Sequence, residues 1–203
     1  MKQITLIIIT VVFISSAFLA GTDEAYIREI KSWQEELNRE FADSAKSPLA
    51  PEDRAKFHGL DFYPIDIRYR VTARFERTPN ETQFGMKTTT ERRPTYVRYG
   101  IAYFKLIDRD FKINIYQNIR LSKTEKYHDY LFMLFTDKSS GKETYAGGRY
   151  IDLRIPQSDS LIIDFNKAYN PYCAYNHKYS CPIPPEEDYF DIEILAGCKK
   201  GFH

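Results

Sequence analysis

Apolar and polar residues alternate strictly from Ile67 onward: Ile67, Tyr69, Val71, Ala73 and Phe75 interleave with Arg68, Arg70, Thr72, Arg74 and Glu76. A period of two sends alternate side chains to opposite faces of an extended chain, so the stretch reads as a half-buried strand. Comparable strand patterns recur downstream at Thr82 to Thr90, Tyr96 to Leu106 and, after the polar turn Asp108-Arg109-Asp110, Phe111 to Ile119. Tyr130 to Phe135 is a continuous apolar run, long enough for a buried strand, and Tyr150 to Ile155, Leu161 to Phe165 and Phe190 to Leu195 complete the series. Consecutive strands joined by polar turns, with no helices between them, predict a mainly β (α+β) protein: an antiparallel β-sandwich or barrel of about eight strands.

One helical pattern precedes the strands. Tyr26, Ile30, Trp33, Leu37 and Phe41 recur every three or four residues, the apolar stripe of an amphipathic helix, predicted over 22–43. Thr22 or Asp23 can cap it, and Asp23, Glu24 and Glu29 suit the positive end of its dipole. Such a stripe ordinarily lies on its own domain. Ser47-Pro48 and Ala50-Pro51 break the pattern, with a short helical turn expected at Glu52 to Phe57. No repeat or linker divides the rest, which predicts a single β-rich domain over 21–203.

Lys2 is followed by an uncharged run from Ile4 to Ala20, then by Thr22, Asp23 and Glu24. A short positive start, an apolar stretch and small residues near its end predict a signal peptide over 1–20, with Ser15 and Ala17 fitting the cleavage pattern. A permanent N-terminal membrane anchor is the alternative; after removal no membrane span is expected. Either way the domain is expected to be extracytoplasmic, periplasmic or secreted. Lys and Arg total 29 against 28 Asp and Glu, and the leader carries one of the lysines, so the remainder has no basic surplus and no nucleic-acid partner is expected.

That address decides how the three cysteines read. Cys173 and Cys181 lie eight residues apart in a Pro- and Tyr-rich segment, and in an oxidising space a disulfide is expected, worth roughly 2–3 kcal/mol of loop-closure entropy. A metal site on the Cys173-x3-His177-x3-Cys181 spacing lacks a fourth ligand, so no metal is expected. Cys198 is left over, expected as a buried thiol, with an intermolecular bridge as the alternative. No nucleophile elbow, phosphate loop or dinucleotide fingerprint is present, and no cofactor is expected.

Two stretches are more specific. One runs from Ser140-Gly141-Lys142-Glu143-Thr144-Tyr145-Ala146-Gly147-Gly148 to Arg149-Tyr150-Ile151-Asp152. The other runs from Asp164-Phe165-Asn166-Lys167-Ala168-Tyr169-Asn170-Pro171 through Tyr172-Cys173-Ala174-Tyr175, then Cys181-Pro182-Ile183-Pro184-Pro185 and Glu187. With Phe57-His58-Gly59-Leu60 and Tyr63-Pro64, these closely resemble the bacterial family catalogued as domain of unknown function 1684, over nearly all of the chain after the leader. The resemblance implies a fold and a conspicuous segment but no reaction. Asp188 stands where that family usually has Asn, and Cys198 where it has an acid.

Gly147-Gly148 before a strand permits positive φ or close approach by another backbone. The long Pro-stiffened loop beyond Asp164 is of a kind often functional. The candidate binding residues are therefore Arg149, Asp164, Asn166, Asn170 and Glu187, lining a polar pocket with tyrosine walls. The alternative is that Arg149 pairs with Asp164 or Glu187 only to pin the loop. Arg68, Arg70 and Arg74 share one strand face and read as a solvated face crossed by carboxylates. Two functions follow: an extracytoplasmic binding or scaffold module, with a small molecule or a cell-envelope partner as its target, or a hydrolase using Asp164 or Glu187 as acid/base with Arg149 orienting the substrate. Docking of a cell-envelope partner through the N-terminal helix is a third.

Overall fold

The computed structural model describes residues 23–201. The predicted leader and the Thr22 cap lie outside the described residues. Helix α1 spans 23–42, close to the predicted 22–43, and a short α2 at Pro51–Arg54 follows the Ala50-Pro51 break. Eight strands follow: β1 Arg70–Arg77, β2 Phe84–Gly85, β3 Thr95–Leu106, β4 Arg109–Asn118, β5 Tyr130–Asp137, β6 Arg149–Arg154, β7 Ser160–Asp164 and β8 Tyr189–Phe190.

They form one sheet in the order β6-β5-β4-β3-β1-β7, with β2 on β3 and β8 on β5. All ladders are antiparallel except β5–β8, which is parallel. The two ends of the order, β6 and β7, are joined only by residues 155–159. So short a link brings the sheet's opposite edges together, and the sheet curls into a half-barrel.

The concave side holds the main core. Ala73 and Phe75 of β1, Phe104 and Leu106 of β3, Ile113 and Ile115 of β4, and Leu131, Met133 and Phe135 of β5 meet there, closed by Phe165, Phe190 and Ile194. Each large side chain buried this fully contributes roughly 1.5–3 kcal/mol. The remaining residues of the β5 run, Phe132 and Leu134, face the other way and are equally buried, against Met86, Tyr96, Tyr116, Tyr150, Cys173 and Cys181. The uninterrupted apolar run from Tyr130 to Phe135 is explained by this second layer: the central part of the convex face is covered by the C-terminal loop.

Four strand expectations shift. Ile67–Tyr69, expected in the first strand, form a 3-10 turn capped by the Asp66 side chain, and β1 starts at Arg70. Within Thr82 to Thr90 only Phe84–Gly85 pairs with β3. The rest leaves the sheet to clamp the C-terminal loop, with Thr89 N–H donating to Cys181 O at 2.9 Å and Ile183 N–H to Lys87 O at 2.9 Å. Within Phe190 to Leu195 only β8 pairs, because the Ile192 and Ile194 carbonyls turn to Lys138 N–H and to Arg149. The β3–β4 turn falls at Ile107-Asp108, with φ of 46° and 61°, one residue before the expected polar triplet. Positive φ at both central residues matches a tight hairpin whose twist suits the strands, a conformation that a β-branched isoleucine does not advertise.

Helix α1 lies on its own domain. Ile30 and Phe41 are buried, Trp33 and Leu37 half-buried, and Phe41 packs with Leu49 and Tyr175. The Tyr26 hydroxyl donates to Asp164 and accepts from Asn166 Nδ2 at 2.8 Å, which fixes the start of α1 to the end of β7.

Candidate functional site

Arg149 is fully buried inside the half-barrel. Its Nη2 donates to Asp137 Oδ2 at 2.6 Å and to the Ile194 carbonyl at 2.8 Å, and its Nη1 donates to the Ala196 carbonyl. The partner expected for Arg149 was Asp164 or Glu187; the structure supplies Asp137 and the main chain of 194–196 instead. The reason is strand parity. Arg149 shares the inward face of β6 with Ile151 and Leu153, whereas Asp164 and Glu187 lie elsewhere. Gly148, immediately before it, has φ +85°, and a Cβ there would stand 2.5 Å from the Phe135 carbonyl, so both uses foreseen for the glycine pair apply at this one position.

Asp164 accepts from Tyr26 Oη at 3.0 Å and from Asn166 N–H at 3.0 Å, capping the turn that follows β7. Asn166 Oδ1 accepts from Asp66 N–H at 3.0 Å, and its Nδ2 donates to the Asp66 carbonyl at 2.8 Å. Both side chains are thus engaged in holding α1 and the segment before β1. Asn170 Nδ2 donates to the Lys199 carbonyl at 2.7 Å and to Tyr175 Oη at 3.1 Å, while its buried Oδ1 has no partner.

Glu187 is exposed and lies on the far side of the loop, in a cleft of about 760 Å³ with Arg98, Glu81 and Tyr116. Its neighbour Asp188 is fully buried and accepts from Asn114 N–H at 3.1 Å, Asn114 Nδ2 at 2.9 Å and Tyr116 Oη at 2.6 Å. Burial outweighs these three donors and lifts the Asp188 carboxyl to about 6. The five candidate residues therefore do not share one pocket: Arg149 is in the core, Asp164 and Asn166 are under α1, Asn170 backs a cavity, and Glu187 borders a separate cleft.

Cys173 and Cys181 are adjacent but unbonded. Both are free and buried, with Cys173 N–H donating to Cys181 Sγ at 3.2 Å. The expected disulfide is thus present only as two neighbouring thiols. Hydrogen bonding to Cys181, reinforced by the Tyr145 hydroxyl, holds the Cys173 thiol down at about 6, while burial pushes Cys198 up to about 12. His177 is exposed, so the Cys-x3-His-x3-Cys spacing does not bring three ligands together, and no metal-ligand cluster occurs among the described residues. The three arginines expected on one strand face are each met by a carboxylate, Arg68 by Asp66, Arg70 by Glu29 and Arg74 by Glu76, although Arg68 lies in the turn before β1.

The feature that sequence reasoning did not locate is a cavity of about 450 Å³ between α1, the convex face of β5–β6 and the C-terminal loop. Half of the residues around it are aromatic. Trp33 and Phe41 come from α1, Tyr130, Phe132 and Tyr150 from the sheet, and Tyr169, Tyr172 and Tyr179 from the loop. The loop is held against the sheet by main-chain pairing of Tyr150 with Tyr169, at 2.9 and 3.0 Å. Asp152, on the outward face of β6, accepts from Tyr130 Oη at 2.7 Å and Tyr169 Oη at 2.6 Å. Burial and the Asp152 charge raise both phenols above their ordinary range, so they stay protonated donors. The signal was available in sequence: Tyr150, Asp152 and Arg154 alternate with the core residues of β6. Nothing, however, placed the tyrosines of 169–179 over that face.

These residues thus build an antiparallel half-barrel whose C-terminal loop lies over the convex face and leaves an aromatic cavity beneath it. Residues 55–199 match the family described as protein of unknown function DUF1684, and the chain belongs to it. An uncharacterised protein from Haloarcula marismortui, solved in solution by NMR, is 30% identical, with a TM-score of 0.67 over 87% of this chain and 95% of that one. No curated protein matches the chain.

Proposed function

We propose that the protein is an extracytoplasmic small-molecule binding module, with the aromatic cavity as its site. The cavity itself carries this reading: about 450 Å³, mostly apolar walls and a single oriented carboxylate are the features of a ligand pocket. The export pattern of residues 1–20 supports the compartment, and in that setting the adjacent Cys173 and Cys181 close into the expected bond, stapling the loop that roofs the cavity. A hydrolase built on Arg149, Asp164 and Glu187 gains no support, because those side chains do not meet at any cleft. Docking through the α1 stripe gains none either, since that stripe lies against the domain.

Trp33 is the chain's one tryptophan and it lines the cavity, so its emission reports occupancy. The test is a ligand library screened by thermal shift, with hits followed by Trp33 fluorescence in the wild type and in Leu37→Phe, which adds bulk to the cavity wall without a second tryptophan. Hits that shift the wild type and lose their effect in the filled variant support the reading. A broad library with no hit, or hits indifferent to filling, overturns it.

A further inference from the structure

The cavity's chemistry selects among ligands. Among the described residues the two charged side chains in its lining, Asp152 and Glu40, are both acids, and no Lys, Arg or His lines it. The tyrosine hydroxyls nearest Asp152 are already committed as donors to it, Tyr130 at 2.7 Å and Tyr169 at 2.6 Å. A carboxylate accepts only, and a phenol that has donated its proton offers only lone pairs. The polar surface around Asp152 is thus acceptor surface that asks for hydrogen-bond donors. An anion meets two like charges; a neutral alcohol brings one donor and no charge.

The walls point the same way. Phe132 and Tyr150 meet edge to face at 4.7 Å, and Tyr150 and Tyr169 at 5.9 Å, so the rings stand at steep angles around the space. Aromatic faces attract cations through the ring quadrupole. Two of these rings already do so within the protein: Arg154, paired with Asp129, lies 5.8 Å over Tyr130, and Lys178 lies 5.0 Å over Tyr179. Neither base is among the lining residues.

We propose that the cavity takes a small arylalkyl amine, its ammonium at the Asp152 carboxylate, its flat apolar body among the tyrosines. This rests on the binding-module reading and names its ligand class. The experiment compares three probes of one skeleton and different charge: phenethylamine, 2-phenylethanol and 3-phenylpropionate. Affinities are read by calorimetry and by Trp33 emission. Phenethylamine is expected to bind about tenfold or more tighter than the alcohol, with the acid weakest.

Asp152→Asn is expected to bring amine and alcohol within about twofold of each other, since a carboxamide keeps the shape and loses the charge. Asp152 is exposed, so this variant is expected to fold, which its melting curve checks; Glu40→Gln serves as an independent second variant with a smaller loss. Equal or tighter binding of the alcohol overturns the inference and leaves the binding module standing. So does an amine preference that survives Asp152→Asn, or no binding of any probe at millimolar concentration. The module itself fails only with the wider library.

Discussion

Arg149→Ala separates two meanings of the most conspicuous charged residue in the motif. In the structure Arg149 and Asp137 are both completely inaccessible and 2.6 Å apart. The substitution deletes that pair and the bonds to the Ile194 and Ala196 carbonyls, leaving Asp137 with only the Ser139 N–H and hydroxyl. Removing one partner of a buried, hydrogen-bonded pair costs about 3–5 kcal/mol, because the other charge is left without compensation. Against a total stability of roughly 5–15 kcal/mol for a domain, that is a large loss. The assay is urea unfolding followed by circular dichroism, in which the midpoint falls while the slope is unchanged. Asp137→Asn is expected to cost a comparable amount, and the double variant less than the two singles together, with a coupling of about 2 kcal/mol. A loss below about 1 kcal/mol for Arg149→Ala, or additive singles, refutes the pinning role.

Further outcomes test other parts of the construction. Tyr26→Phe removes the hydroxyl that bridges Asp164 and Asn166 and is expected to cost about 1–3 kcal/mol, with amide exchange accelerating in α1 before the sheet. Asp188 carries a carboxyl raised from 3.8 to about 6, so the folded state holds a proton that the unfolded chain has released. Stability from this group is therefore greatest below pH 4 and falls as pH rises to 6, by at most about 3 kcal/mol; Asp188→Asn is expected to flatten that slope in pH-dependent unfolding. Mass spectrometry of protein recovered from an oxidising compartment without reductant is expected to show Cys173 linked to Cys181, and free thiols at both count against that bond.

Most of the fold was legible because strand alternation and the α1 stripe are local signals. The boundaries of α1, β3, β5, β6 and β7 fall within a few residues of the periodic patterns. What was not legible is where local signal and tertiary pairing part company. Thr82 to Thr90 has strand composition, but most of it bonds to the loop at Cys181 and Ile183, some ninety residues away. Phe190 to Leu195 alternates correctly, yet its later carbonyls go to a buried guanidinium rather than to a neighbouring strand. For the candidate site, the polar residues singled out do matter, but Arg149, Asp164 and Asn166 are conspicuous for what they hold together. Their partners, Asp137, Tyr26 and Asp66, carry no motif of their own.

The two motif stretches that carry the family likeness also build the cavity, and strand parity divides their labour. In β6, Arg149, Ile151 and Leu153 turn inward to the core, and Tyr150 and Asp152 turn outward to the cavity. The loop repeats the division: Phe165 and Ala168 are core, while Tyr169, Asn170 and Tyr172 line the space. A rigid rear and an open front therefore come from interleaved positions of the same segments, and substitutions one or two residues apart must separate stability from binding. An Arg149 variant that still folds at low temperature is expected to keep the amine-over-alcohol preference while unfolding at much lower urea. Asp152→Asn is expected to do the reverse, holding its midpoint and losing the preference. If Arg149→Ala abolished the preference in protein shown to be folded, the front and rear would not be independent, and the cavity would owe its selectivity to the core rather than to Asp152.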